Sequence, residues 1–200
     1  MVDVGANDGQ YARMLRHDVG FSGRIASVEP SSQAFDRLAT AMDRDLRWEG
    51  FNFALGDETG TVTLNVLESD DFTSIHQVSS YARTRFTRLD VIGQEAVTIH
   101  RLDEVFDDLA AGHDRVFVKA DTQGHDIAVV SGLGERRAAA LQIELSIRSI
   151  YEGTLGYLDA IRELEVSGYR PSAFFPVSRT ADGLSIIEMD GVFVCAAVCE

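Results

Sequence analysis

Two stretches near the start of the chain carry residue types that could hold a nucleoside. They are Asp3-Val4-Gly5-Ala6-Asn7-Asp8-Gly9 and Ala26-Ser27-Val28-Glu29-Pro30. The first follows a strand-like run and opens a helix-like one, the setting in which a glycine loop has meaning. Gly5 and Gly9 allow a tight turn and a close approach of backbone to ligand. Asp3, Ala6 and Asn7 complete the loop, and Asp8 can equally serve as a helix cap. Glu29 ends the second strand, where an acid accepts hydrogen bonds from both hydroxyls of a ribose. Asn52, Ala54, Leu55 and Asp57 lie at and beyond a third strand, where an adenine would rest, although the Asp57-Glu58-Thr59-Gly60 turn also explains Asp57 by itself.

The charges in the loop discriminate between cofactors. A pyrophosphate such as that of NAD wants bare amides and a positive helix end. Here the loop carries Asp3 and Asp8, and its glycines follow G-x-x-x-G and not G-x-G-x-x-G. Acids beside a diphosphate are unfavourable, whereas the sulfonium and ammonium of S-adenosylmethionine would be attracted to them. The loop therefore favours S-adenosylmethionine, with an NAD-dependent oxidoreductase or a catalytically inactive nucleoside-binding relative as the alternatives.

A second group of chemical residues follows the buried run RVFVKA. Asp121 ends that strand at the edge where open α/β sheets bind ligands. It could be a general base, a contact to the cofactor's amino group, a metal ligand or a helix N-cap. His125, just past Gly124, has a proton affinity suited to catalysis near neutrality. Lys119 and Glu144 interrupt apolar strands, and buried charges need partners. Pairing them across adjacent strands is the first reading. Asp121 with Glu144 holding Mg²⁺ is the less favoured one, and no metal is predicted.

Helical and strand periods alternate along the elements that must position these groups. Strands are expected at 1–4, 24–28, 46–55, 61–67, 95–101 (as an edge strand), 115–120 and 140–147. Helices are expected at 9–17, 32–42 after Ser31 as N-cap, 102–109, after Gly124 to about Ser131, and 154–167 ending at Gly168. Tyr11, Met14 and Leu15 share one face of the first helix. Residues 68–94 show little regular pattern. Strands at 169–177 and 184–198 surround an Asp182-Gly183 turn. Strands alternating with helices and closed by a hairpin mean an α/β three-layer sandwich, mostly parallel with an antiparallel end.

The 200 residues, 45% hydrophobic, suit a single domain spanning 1–200. The net charge of −14 argues against nucleic acid and anionic membrane partners. The spacing of Cys195 and Cys199 is wrong for a CxxC motif, so they read as reduced thiols of a cytoplasmic protein. No apolar run reaches membrane-spanning length.

Nearly the whole chain resembles FkbM-type methyltransferases. The matching pieces are DVGANDGQY, VEP, NFALGD with Gly60, TSI, LDEV, VFVKADTQGHDIAVVSG, QIELSIRSIYEG and DGVFV. The KxDxQG stretch with Glu144 and Tyr151-Glu152 is the specific part. The resemblance implies a Rossmann-like class I methyltransferase fold with a seven-stranded sheet. It also implies S-adenosylmethionine-dependent methyl transfer, commonly to a hydroxyl of a small molecule, glycan or secondary metabolite. It places Thr73-Ser74-Ile75 at the pocket and Tyr151 and Glu152 at the acceptor side. The chain departs from the family in lacking an element before strand one, and in carrying His125 where an acid is common.

Overall fold

The computed structural model describes residues 1–198. A seven-stranded sheet forms its centre. The strands are β1 (Val2–Val4), β2 (Ile25–Val28), β3 (Trp48–Phe51), β7 (Phe117–Ala120), β8 (Ala140–Ser146), β9 (Tyr169–Arg179) and β10 (Ile186–Cys195). Their order is β3-β2-β1-β7-β8-β10-β9, parallel up to β8 and antiparallel at the β10-β9 end. The order reverses between β1 and β7, so the tips of these strands open a crevice.

Strand alternation sends the two sets of side chains to opposite faces. Val2, Val4, Val118, Ala120, Leu141 and Ile143 are buried with helices α4 (Leu102–Ala110), α5 (Asp126–Ser131) and α6 (Tyr157–Val166) in the main core. On the other face α1 (Gln10–Met14) and α2 (Ser32–Met42) pack Ala12, Leu38 and Met42 around Ile25. That face is polar in register: Ser27, Asp3, Lys119 and Gln142 stand side by side across β2, β1, β7 and β8. At the far edge the Tyr169 hydroxyl accepts the buried Ala138 N–H at 3.0 Å. Tyr169→Phe would orphan that N–H, and urea denaturation should show about 1–3 kcal/mol of lost stability.

Several expected boundaries move. The first helix is short and continues as a π-turn over Leu15–Val19, stopped by Gly20. Asp8 does not cap α1; its Oδ1 pairs with Arg37 at 2.7 Å. The expected strand 46–55 is two strands in two sheets. After β3, Asn52 donates its amide to the carbonyls of Glu29 and Pro30, at 2.8 and 3.1 Å. This bond turns the chain into β4 (Ala54–Gly56), which joins a three-stranded sheet of order β4-β6-β5. Here β5 is Gly60–Leu67 and β6 is Val91–Arg101. Accordingly 95–101 belongs to a central strand of that sheet, not an edge strand, because β4 and β5 pair on its two sides.

Residues 68–90 hold a 3-10 turn at Asp70–Phe72 and α3 (Ser80–Arg85), capped by the Ser79 hydroxyl. A satellite core of Leu67, Val78, Ala82, Leu89, Ile150, Tyr151 and Ile187 anchors this segment. Cys195 is a buried free thiol, while Cys199 lies outside the described residues. No helix among the described residues is long and apolar enough to cross a membrane.

Candidate functional site

The crevice at the reversal point opens into a cavity of about 750 Å³, within the range of small-molecule sites. Its floor is the loop after β1. Gly5 and Gly9 have φ of 75° and 78°, and Asn7 also has a positive φ of 44°. Gly5 is forced by proximity as well as dihedral: a Cβ there would lie 1.9 Å from the Asp121 carbonyl oxygen. Gly9 sits outside the lining and leaves room for Leu38 of α2 instead.

Glu29 is buried at the tip of β2. Its Oε2 accepts the Asn7 N–H at 2.8 Å and its Oε1 the Ser31 N–H at 2.9 Å. The carboxylate thus ties the glycine loop to the start of α2 and keeps further lone pairs for a ligand. Burial pushes its pKa up to about 7, against the opposing pull of those two N–H groups. Pro30, Ala34, Phe53, Ala54, Leu55 and Ile75 make this end of the cavity apolar.

Asp121 stands at the tip of β7. Lys119 Nζ donates to its Oδ2 at 3.1 Å, and Gln123 Nε2 to its Oδ1 at 2.8 Å. Its side chain stays 36% exposed, so it faces the cavity. The expected Lys119–Glu144 pair is not formed. Lys119 lies opposite Asp3 on one side and Gln142 on the other, which places Glu144 a step too far along β8. Lys119 pairs instead with Asp121 and, at 3.7 Å, with Asp3 Oδ1. Asp3 itself is fully buried under the floor and does not line the cavity. Glu144 titrates well above the ordinary range through burial and the nearby Asp121, Glu188, Asp126 and Asp190. Among the described residues no group of three or more His, Cys, Asp or Glu could hold a metal.

His125 lines the cavity at the N-cap position of α5. Its Nδ1 lies 3.2 Å from His76 Nε2, and its Nε2 is enclosed without a hydrogen-bond partner among the described residues, close to Gly56. Burial lowers both imidazole pKa values. Asp121 does not cap α5, whose N-cap position is His125 without a side-chain cap bond; Asp126 accepts the N–H groups of Thr122 and Gly124 in the turn before the helix. Asp57 is exposed and outside the lining, because β4 carries the chain away from the crevice; its carbonyl accepts from Arg101. Thr73 and Ile75 line the cavity, whereas Ser74 is buried and donates to the Gln123 carbonyl at 2.7 Å. Tyr151 is buried with its hydroxyl on Gln123 Oε1 at 2.8 Å, and Glu152 is exposed.

The cavity also reaches Tyr11, Gln142, Phe175 and Asp190, which sequence reasoning did not place there. A polar Gln142 inside the run LQIEL was the available signal, of the same kind as Lys119 and Glu144. Tyr11 reads as one more apolar helix residue.

Comparison with family models matches residues 3–171 to the methyltransferase FkbM domain. The chain belongs to that family. Among curated proteins no sequence matches this FkbM-family chain. Solved structures share its fold. Fibrillarin of Aeropyrum pernix, in complex with natively bound S-adenosyl-L-methionine, is 15% identical with a TM-score of 0.56 over 96% of this chain. An FkbM methyltransferase of Methylobacillus flagellatus KT is 16% identical with a TM-score of 0.55, also over 96%. The chain spans 65% of the first and 42% of the second, less than two thirds of each.

Proposed function

We propose that the cavity binds S-adenosylmethionine and that the protein transfers its methyl group to a hydroxyl of a small molecule or glycan. The observation that carries this reading is the cavity's charge pattern. Glu29, Asp71, Asp121 and Asp190 line it with one lysine, Lys119, and that lysine is already paired with acids. A cationic nucleoside suits such a lining, whereas a diphosphate would meet carboxylates in place of counter-ions. Membership of the FkbM methyltransferase family supports the same cofactor.

The residues present fit that group. Glu29 has lone pairs for the ribose hydroxyls, and Phe53, Ala54 and Leu55 give an adenine an apolar wall. Gly5, Ala6 and Asn7 form the floor, and their small side chains leave room there. S-adenosylmethionine, when bound, supplies an electrophilic methyl on a sulfonium. The protein's contribution is positioning, together with removal of the hydroxyl proton. Asp121 takes that proton, because its half-buried carboxylate faces the cavity at the tip of β7; His125 is less suited, with one nitrogen held by His76 and the other enclosed.

Calorimetry tests the cofactor. S-adenosylhomocysteine should bind and NAD should not, and Glu29→Gln should weaken S-adenosylhomocysteine by about 1–3 kcal/mol. Tight NAD binding, or undiminished affinity in the variant, would remove the reading.

A further inference from the structure

Beyond Gly5 and Asp121 the cavity runs onto the α1 face of the main sheet, where Tyr11, Met14, Lys119, Gln142, Phe175 and Asp190 line it. These groups are tied together. The Tyr11 hydroxyl donates to Gln142 Oε1 at 2.9 Å, and Gln142 Nε2 donates to Asp190 Oδ2 at 2.9 Å. Lys119 Nζ lies over the Tyr11 ring, 5.0 Å from its centre. Lys119 is the only lysine or arginine among the lining residues.

Its partners leave it capacity. An ammonium has three protons, and only the 3.1 Å contact to Asp121 is of hydrogen-bond length; Asp3 stands at 3.7 Å. Neither oxygen of the buried Asp3 has a hydrogen-bond partner among the described residues. Asp3, Asp121 and Asp190 outnumber Lys119, the one cation of this lobe. The methionine portion of S-adenosylmethionine carries a sulfonium, an ammonium and a carboxylate, an excess of one positive charge. The ligand's positive excess offsets part of the lobe's negative excess, and such compensation matters where charges are desolvated. In such a pairing the ligand's carboxylate has one cation to meet.

Resting on the reading of the cavity as the S-adenosylmethionine site, we propose that Lys119 binds the α-carboxylate of the cofactor's methionine portion, while Asp121 faces its ammonium. Tyr11 and Gln142 are positioning residues that hold the lobe in shape. The site is thereby a reader of the complete amino acid and not only of the nucleoside.

Calorimetry on the wild-type protein with three probes decides this. The probes are S-adenosylhomocysteine, its analogue lacking only the carboxylate, and 5′-methylthioadenosine. Loss of the carboxylate should weaken binding by about 10- to 100-fold in the wild type. In Lys119→Met that difference should vanish, with the decarboxylated analogue binding as well as before or better. Lys119→Met leaves the buried Asp3 and the half-buried Asp121 without their counter-ion, so Tyr11→Phe serves as a milder second variant and should shrink the difference partway. Equal affinity of S-adenosylhomocysteine and the decarboxylated analogue for the wild type would overturn the Lys119 assignment alone. Failure of all three nucleosides to bind would overturn the cofactor reading as well.

Discussion

Gly5→Ala is expected to lower stability by about 2–5 kcal/mol and to abolish nucleoside binding. Two effects add. The residue sits at φ 75°, where an L side chain is strained. The new Cβ would also meet the Asp121 carbonyl oxygen at 1.9 Å and its carbon at 2.8 Å. Both are backbone atoms held in the sheet, since Asp121 N–H donates to the Val4 carbonyl at 3.0 Å, so neither can yield cheaply. Two other glycines calibrate the result. Gly9, at φ 78°, would meet the flexible end of Leu38 at 2.8 Å, and Gly20, at φ 73°, would meet nothing within 4 Å. Chemical denaturation should rank the alanine variants Gly5, Gly9, Gly20 from most to least damaging. A Gly5 variant no worse than the Gly20 one would mean that β1 and β7 do not approach as closely as described.

The second large effect concerns pH. Burial raises Glu29 to about 7, Glu188 to about 7 and Asp126 to about 6, and also raises Glu144. A carboxyl raised in the folded state adds stability below its unfolded pKa, and that contribution is lost as pH climbs through the folded value. The ligand-free protein should therefore gain about 1–2 kcal/mol between about pH 8 and about pH 6.5. His76 and His125 oppose the trend at lower pH. Their pKa values are depressed from 6.5, so the stability they contribute is lost as pH falls through the unfolded value. Thermal melts across this window should rise and then level. A ligand whose ribose hydroxyls donate to Glu29 stabilises the ionised form, so S-adenosylhomocysteine should flatten the slope. A melting temperature that falls from pH 8 to 6.5 would contradict the burial of these acids.

Much of this architecture could be read from the chain. β1, β2, β7 and β8 are short apolar runs ending in an acid or a turn, and their period is visible without tertiary knowledge. The glycine loop and Glu29 were legible for the same reason, since local spacing fixes them. The small second sheet was not. Residues 46–55 form one continuous strand-like run, and its division depends on Asn52 reaching two carbonyls of a different segment. Lys119 shows a related limit. Its need for an acidic partner follows from burial, but the choice of Asp3 follows from strand order, which brings β1 and not β8's Glu144 into register with it. Gln142 and Asp190 became visible as lining only when β10 was seen to run antiparallel beside β8.

The Asn52 elbow separates two kinds of change. By gripping the carbonyls of Glu29 and Pro30, it fastens Glu29, the acid proposed to hold the sugar, to the main sheet before the chain departs. Residues of the departing hairpin and the segment within it, among them Leu64, Val66, Asp71 and Thr73, form one wall of the cavity. A lengthened or shortened hairpin would remodel that wall while leaving the grip untouched. Descendants of this chain could thus reshape that wall without disturbing the anchor of Glu29.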